Sequence, residues 1–222
     1  MPTTLLDLIL PRECGGCARV DASWCPACAG ALDAAPGSVR PRVDPGVPCW
    51  ALGPYAGPHR ASILAMKERG RRDLAAPLGV ALAAAVTRLR DAGEIDPPEL
   101  SPLVLVPAPS RRRAARARGG DPILRTCRRV ARVLAPEDVR VVSVLRVDAQ
   151  VRDSVGLTAD ERADNLRGRV RVRSGGIAAI GRGPVLLVDD VVTTGTTAAE
   201  SVAALRRSGV GVDAVLVLAA VR

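Results

Sequence analysis

Two carboxylates and four threonines stand close together near the C-terminus, in the stretch VLLVDDVVTTGTT at residues 185–197. The four apolar residues that open this stretch predict a strand buried on both faces. Asp189 and Asp190 follow at the carboxyl end of that strand, where open α/β sheets bind their ligands. A capping role at the strand end is the alternative.

The threonine-rich turn after the aspartates predicts an anion site. Beyond it, apolar residues recur at helical spacing, which indicates a helix packed against a sheet. The turn therefore ends at a helix N-terminus, where free N–H groups and the helix dipole favour a phosphate. Its members are Thr193, Thr194, Gly195, Thr196 and Thr197.

A second loop of this kind follows an apolar strand predicted at residues 103–106. It is built from Pro107, Ala108, Pro109 and Ser110. The arginine run behind it suits bidentate contacts with a diphosphate, and a solvated basic helix face is the alternative interpretation. We expect both loops at the same sheet edge. The arginines of the run are Arg111, Arg112, Arg113, Arg116 and Arg118.

Two C-x2-C knuckles separated by seven residues lie near the N-terminus: Cys14 with Cys17, and Cys25 with Cys28. Two such knuckles turn four thiolates toward one point and predict a tetrahedral metal site. We interpret it as a structural zinc site, with an iron–sulfur cluster or idle thiols as alternatives. A site closed by four protein ligands has no open position for a substrate, so its expected role is in folding.

The order of the predicted elements indicates an α/β protein. Extended segments alternate with helical ones, which is typical of a mainly parallel sheet with helices on both faces. The predicted extended segments are 50–56, 103–106, 139–145, 185–188 and 213–220, and the predicted helices are 59–69, 73–90, 122–134 and 197–208. Within 73–90 one apolar face contains Leu74, Leu78, Leu82, Val86 and Leu89. The proline-rich stretch 36–48 predicts a linker between a module at 1–48 and a domain at 49–222.

Composition limits the class of protein and its partners. The formal net charge is +9 and is almost all arginine, since Lys67 is the only lysine. This charge suits phosphate-bearing partners. The alternative explanation is that the chain uses arginine in place of lysine throughout, with no relation to a partner. No apolar run reaches the ~20 residues of a membrane span, and the N-terminus lacks the basic region of a signal peptide. We therefore expect a cytoplasmic location and no membrane insertion.

The sequence does not contain the motifs of several other kinds of binding and catalytic site. No P-loop motif occurs, and no G-x-G-x-x-G follows a strand. His59 is the only histidine, which leaves no Ser–His or Cys–His pair with an assignable place. We expect His59 at the surface or at a cap, and Cys49 and Cys127 as small buried apolar residues.

The stretch 185–197 resembles the phosphoribosyl pyrophosphate (PRPP) motif of type I phosphoribosyltransferases. Together with the front cysteine module, it makes the whole chain similar to the ComF family, the competence-protein F and GntX-like group. Further matching features are Lys67 in Met-Lys-Glu-Arg-Gly, Val-Pro-Ala-Pro at 106–109, Arg118-Gly119, and Glu161-Arg162 followed by Asn165. The chain departs from the family at Gly120-Asp121-Pro122, where an aromatic residue, Asn and Gln are usual, and at Ser154, where many members have Gln.

The resemblance implies a type I phosphoribosyltransferase fold with a small N-terminal zinc-ribbon-like module. It implies that Asp189 and Asp190, the catalytic pair, accept hydrogen bonds from the ribose hydroxyls, and that the threonine turn encloses the 5-phosphate. The loop after residue 106 would hold the pyrophosphate, with Mg²⁺ bridging pyrophosphate and ribose oxygens and few direct protein ligands. The implied PRPP-binding residues are Val106, Pro107, Ala108, Pro109, Ser110, Arg111, Asp189, Asp190, Val191, Thr193, Thr194, Gly195, Thr196 and Thr197.

Three functions are compatible with these motifs. The first is an enzyme that transfers phosphoribosyl from PRPP to an acceptor and releases pyrophosphate. The second is a DNA-uptake factor that senses nucleotides or binds single-stranded DNA, although three aromatic residues offer few surfaces for base stacking. The third is a regulator that binds PRPP as an effector without turnover. Fold similarity alone does not separate them.

Overall fold

The computed structural model describes residues 13–110, 120–148, 168–173 and 175–221. In these ranges a mixed six-stranded sheet carries helices on both faces. The helices are α1 (Pro26–Leu32), α2 (Gly57–Glu68), α3 (Ala75–Asp91), α4 (Pro122–Val133) and α5 (Thr196–Arg207), with 3-10 turns at Arg72–Leu74 and Ile177–Ala179. The strands are β1 (Gly37–Ser38), β2 (Cys49–Ala51), β3 (Leu103–Pro107), β4 (Val139–Val141), β5 (Leu145–Val147), β6 (Val170–Val172), β7 (Val185–Val192) and β8 (Ala214–Ala220).

The strand order of the main sheet is β1-β2-β8-β7-β3-β4, and only the edge strand β1 runs antiparallel to its neighbour. From β3 the chain passes through α4 to β4 on one side. From β7 it passes through α5 to β8 on the other side. The direction of winding therefore reverses between β3 and β7, and such a reversal opens a crevice at the carboxyl ends of the two strands.

Alternate residues of the central strands enter two separate cores. Leu105 and Leu186 pack in the core beneath α2, α3 and α4. Leu187 and Val215 pack in the core beneath α5, where they meet Val202. Because successive side chains of a strand point to opposite faces, strands buried on both faces are nearly all apolar. The sequence prediction of a mainly parallel α/β sheet is confirmed. Every residue of the apolar face predicted for 73–90 is buried, namely Leu74, Leu78, Leu82, Val86 and Leu89.

The start of α4 explains why Gly120, Asp121 and Pro122 stand together. The Asp121 carboxylate accepts hydrogen bonds from the N–H groups of Ile123, at 2.9 Å, and Leu124, at 3.1 Å. Pro122 occupies the first turn of the helix, where its missing N–H costs nothing. The acidic cap and the proline thus fix the helix start directly after the arginine run.

Two predicted strands end elsewhere than expected. The strand predicted at 185–188 continues to Val192, because β8 pairs with it as far as Val192 opposite Ala220. The extended segment predicted at 139–145 is wrong as a single element. A bond from the Val144 N–H to the Val142 carbonyl, at 3.1 Å, turns the chain between β4 and β5. Strand β5 then pairs antiparallel with β6 in a separate two-stranded ribbon.

The cysteine segment packs directly on the main body of the protein. Leu32 of α1 is 1% exposed and belongs to the core beneath α2, α3 and α4. The Arg71 guanidinium donates hydrogen bonds to the carbonyls of Glu13, at 2.8 Å, and Ser23, at 3.2 Å. The boundary between residues 48 and 49 stays a prediction. In the described ranges, no helix combines the length and apolar character needed to cross a membrane.

Candidate functional site

The crevice between β3 and β7 brings the two predicted loops together. Strand β3 ends with Pro107 opposite Val188, and the next N–H, that of Ala108, donates to the Val188 carbonyl at 2.8 Å. Strand β7 continues beyond this point, and among the described residues only β8 pairs with it there. Residues 189–192 therefore have one strand edge free of β3, directly next to the loop at 108–110. Val106, Pro107 and Ala108 are buried, whereas Pro109 and Ser110 are half-buried.

Asp190 is buried in an ion pair with the only lysine of the chain. The Lys67 ammonium, on the last turn of α2, lies 2.6 Å from the Asp190 Oδ2, and the Asp190 side chain is 6% exposed. A buried carboxylate needs such a partner, because desolvation of an unpaired charge is costly. The helix α2 thus brings a positive charge to the carboxyl end of β7. The sequence contained Lys67 in a motif but gave no reason to place it against Asp190.

Asp189 is half-buried beside its neighbour, and its carboxylate accepts a hydrogen bond from the Asp190 N–H at 2.8 Å. Burial of this carboxyl group and the negative charge of Asp190 raise the pKa of Asp189 to about 7, although Lys67 opposes the change. Ionisation of both carboxyl groups of an adjacent pair is unfavourable in a desolvated site, because the two negative charges repel each other. Asp189 therefore loses its proton close to neutral pH.

The threonine turn lies at the N-terminus of α5, which begins at Thr196, one residue before the predicted start. Gly195 precedes the helix in a left-handed conformation with φ of 90° and provides no side-chain cap. The hydroxyl groups of Thr194 and Thr196 are 3.0 Å apart. Thr193 is exposed and Thr197 is half-buried. The Thr196 N–H donates to the Thr194 hydroxyl oxygen at 3.5 Å. The N-terminus of α5 together with the threonine hydroxyls suits an anion.

The four front cysteines form one compact cluster. Their sulfur atoms all lie within 4.8 Å of one another, and the sulfurs of Cys17 and Cys25 are 3.6 Å apart. A tetrahedral ion with zinc–sulfur bonds of about 2.3 Å requires sulfur separations of about 3.8 Å. A Cβ atom on Gly16 would lie 2.6 Å from the Cys28 sulfur, so the first knuckle needs glycine there. The cluster is therefore suited to one structural metal ion such as zinc.

Backbone groups already favour thiolates in this cluster. Burial opposes ionisation of Cys14, but hydrogen bonds from the backbone of Gly16, Cys25 and Cys17 outweigh it and lower the pKa of Cys14 to about 6. Burial and the neighbouring thiols raise the pKa of Cys28. Four thiols this close cannot all ionise without a cation between them. A bound divalent ion would supply the missing positive charge.

Near the site, the position of His59 differs from the prediction, and one set of contacts was not predicted. His59 is buried rather than at the surface, because its ring fills the space beside Gly53. The contacts of Pro41 and Val43 with the threonine turn had no sequence signal. Cys49 and Cys127 are buried as expected. The arginines at 111–118, Ser154 and the motif around Asn165 lie outside the described residues.

A surface pocket lies at the opposite edge of the sheet, beside the amino ends of β7 and β8. Three acidic residues help to line it, namely Glu94, Asp96 and Asp213. Asp213 already accepts a hydrogen bond from the Val185 N–H at 2.7 Å. The acidic lining disfavours anions, so the candidate phosphate site is the crevice at the carboxyl edge.

Comparison of the chain with protein-family models gives no match, and comparison with curated proteins gives none either. Assignment of function therefore depends on the geometry of the crevice and on the motifs that build it. The resemblance to the ComF family stays a prediction.

The cysteine cluster predicts one zinc ion per chain. Serine in place of any one of the four cysteines removes a thiolate ligand and should lower the zinc content measured by elemental analysis of reduced protein. The Cys49→Ala variant is the matched control and should keep its zinc, because Cys49 lies outside the cluster. Reduced wild-type protein without zinc would contradict the assignment, and iron with visible absorption would indicate a cluster instead.

The raised pKa of Asp189 predicts a pH dependence of stability. Between the ordinary carboxyl value of 3.8 and about 7, the folded state holds a proton that the unfolded state has lost. The contribution of Asp189 to the free energy of unfolding is thus fully present below pH 3.8 and is lost as the pH rises through about 7. Denaturant unfolding at a series of pH values should show this decline in wild type and not in Asp189→Asn. The exposed Asp96→Asn control should keep it, and an equal decline in Asp189→Asn would disprove the assignment.

Proposed function

We propose that this chain is a PRPP-binding protein of the type I phosphoribosyltransferase kind, related to the ComF family. In this proposal it transfers phosphoribosyl from PRPP to an acceptor and releases pyrophosphate. One observation carries the proposal: an acidic pair, a threonine-rich helix N-terminus and a proline-stiffened loop meet at the reversal of strand order between β3 and β7. Each of the three suits a different part of PRPP.

The 5-phosphate fits the threonine turn by chemistry. The first N–H groups of α5 and the hydroxyls of Thr194 and Thr196 are donors, and a phosphate offers only acceptors at neutral pH. The helix α5 has 12 residues, which is long enough for its dipole to add to this attraction. Negative charge is therefore favoured at this end of the crevice.

The ribose hydroxyls fit the acidic pair. Asp189 and Asp190 lie between the threonine turn and the loop at 108–110, so a sugar bound to the turn at its 5-phosphate would extend over them. Without ligand, Lys67 satisfies one oxygen of Asp190. In the proposal, the ribose hydroxyls donate to the remaining carboxylate oxygens of the pair.

The pyrophosphate fits the loop at 107–110. Its two prolines stiffen the backbone. The Ala108 N–H fastens the loop to β7 by donating to the Val188 carbonyl. Arg111, which the resemblance adds to this group, lies outside the described residues. Mg²⁺ bound to PRPP would neutralise pyrophosphate charge and would be held mainly by substrate oxygens, with few protein ligands.

The proposed transfer breaks the bond between C1 of the ribose and a pyrophosphate oxygen, and forms a bond between C1 and the acceptor. Positive charge develops on the sugar as pyrophosphate leaves with the electron pair. The carboxylates of Asp189 and Asp190 hold the sugar in place and stabilise that charge, and the donors of the two loops stabilise the departing anion. The four-cysteine module takes no part in this step and is proposed as a zinc-stabilised folding unit.

Replacement of Asp190 by Asn should weaken PRPP binding. The amide keeps the shape but loses the charge of two acceptors, and each charge-assisted hydrogen bond contributes about 1.5–3 kcal/mol. Affinity should fall about tenfold to a hundredfold, as measured by calorimetry with PRPP and Mg²⁺. Thr194→Val and Gly195→Val should also weaken binding, because they remove a donor or fill the turn.

The control for this experiment is Asp138→Asn, since Asp138 is an exposed aspartate paired with Arg140. Ribose 5-phosphate should bind more weakly than PRPP, because it lacks the pyrophosphate. Equal PRPP affinity in wild type and Asp190→Asn would disprove the site. A pyrophosphate assay with a metabolite extract then separates an enzyme from a regulator that binds PRPP without turnover.

A second candidate function, binding of single-stranded DNA, is favoured by the ribbon of β5 and β6. Arg146 and Arg171 are directly opposite each other in this ribbon, and both side chains are exposed. Like charges opposite each other are destabilising, and a phosphate between them removes the repulsion. Arg169 and Arg173 flank Arg171 at two-residue spacing and therefore point to the same face. All three aromatic residues of the chain pack against the core, so DNA would be held by its phosphates rather than by stacking.

This second function predicts a steep salt dependence for binding of an oligo-dT strand, measured by fluorescence anisotropy. Loss of both phosphate contacts in Arg146→Ala/Arg171→Ala should weaken binding and reduce the slope of log K against log salt by about 1.4. The control is Arg128→Ala/Arg132→Ala, which removes the same charge from exposed positions on α4. No binding at low salt, or equal losses in both double variants, would exclude the ribbon as a DNA site.

A further inference from the structure

A short segment before the main domain passes over the threonine turn. We call residues 39–46 the strap. At its start, the Val39 N–H donates to the Cys49 carbonyl at 2.8 Å, next to the pairing of β1 with β2. At its end, the Arg206 guanidinium of α5 donates to the Gly46 carbonyl at 2.8 Å. Both ends of the strap are therefore fastened to the domain that contains the candidate site.

The middle of the strap touches the threonine turn through its backbone. The Val43 N–H donates to the Thr194 carbonyl at 2.8 Å. A Cβ atom on Gly195 would lie 2.3 Å from the Val43 carbonyl oxygen and 2.6 Å from the Pro41 Cβ. Glycine is therefore required at position 195 for two reasons, the left-handed φ of 90° and this close contact. The strap and the turn pack without room for a side chain between them.

This contact sets the direction of one peptide group in the turn. In a trans peptide the carbonyl and the N–H point in opposite directions. Since the Thr194 carbonyl points to the strap, the Gly195 N–H of the same peptide points away from it. That N–H donates to no acceptor within the described part of the chain. A donor held in one direction without a protein partner is suited to an anion in the turn.

We propose that the strap is a positioning element of the phosphate subsite, in which Val43 and Pro41 hold the Thr194–Gly195 peptide ready for the 5-phosphate. This inference rests on the proposed function, because it assigns the turn to phosphate. A turn that is already ordered loses less conformational entropy when the ligand binds, and so binds more tightly. The segment that joins the cysteine module to the sheet thus takes part in ligand binding without touching the ligand.

The test compares two substitutions of one residue. Val43→Pro removes the N–H that holds the Thr194 carbonyl, whereas Val43→Ala trims the side chain and keeps the N–H. Val43→Pro should raise the dissociation constant for ribose 5-phosphate about threefold to tenfold, the equivalent of one lost hydrogen bond. Val43→Ala should stay within about twofold of wild type. Inorganic pyrophosphate, which occupies the other loop, should bind all three proteins equally.

Hydrogen exchange gives a second readout that needs no ligand. The amides of residues 194–197 should exchange faster in Val43→Pro than in wild type or Val43→Ala, because the turn has lost its support. If Val43→Pro does not fold, Pro41→Ala replaces it, since that variant keeps the Val43 N–H and removes the closed ring that packs on Gly195, while it adds one N–H and frees φ at position 41. The expected results are the same.

The possible results distinguish failure of the strap proposal from failure of the proposed function on which that proposal rests. Wild-type protein that binds neither PRPP nor ribose 5-phosphate would contradict the proposed function itself. Wild-type binding with an unchanged affinity of Val43→Pro for ribose 5-phosphate would overturn only the strap. Equal weakening of ribose 5-phosphate and pyrophosphate would also overturn it, because that result indicates a general loss of structure.

Discussion

The unequal lengths of the strands beside β7 are the constraint on which the candidate site depends. Strand β3 stops opposite Val188, whereas β8 continues to Val192. The last half of β7 is thus paired with β8 on one side and extends past the end of β3 on the other. This arrangement places two carboxylates on a fixed strand at the edge of a crevice, rather than on a loop. A site built on a strand keeps its geometry better than one built on a loop.

The electrostatics of the crevice follow from that placement. The chain carries a net charge of +9, yet its candidate site contains two adjacent carboxylates near the end of a buried strand. Lys67 neutralises one of them, and the other keeps its proton up to about neutral pH because it is buried beside a charge. Donor-rich loops on either side balance the acidic centre. A ligand with anionic ends and a hydroxyl-bearing middle matches this order of charges.

The N-terminal part of the chain is connected to this site by contacts that span long sequence distances. Arg71 binds the carbonyls of the cysteine segment, and the strap contacts the turn some 150 residues later in the chain. A metal ion held by the four thiols would add to the order that this small segment already receives from the burial of Leu32 and from its contacts with Arg71. The strap, which follows this segment in the chain, contacts the threonine turn.

Local pattern determined much of this protein from the sequence alone. The apolar runs of β3, β7 and β8, the stripe along α3, the cysteine knuckles and the threonine turn are all local signals, because burial and helix or strand period act over a few residues. The tertiary structure alone decided which strands are neighbours, how far β7 extends, that Lys67 meets Asp190, and that Val43 holds Thr194. Several of those contacts join residues far apart in the chain, such as Lys67 with Asp190 and Val43 with Thr194. No periodicity within one segment records any of them. The raised pKa of Asp189 is also decided by the tertiary structure, because burial and the neighbouring charges that cause it arise only in the assembled fold.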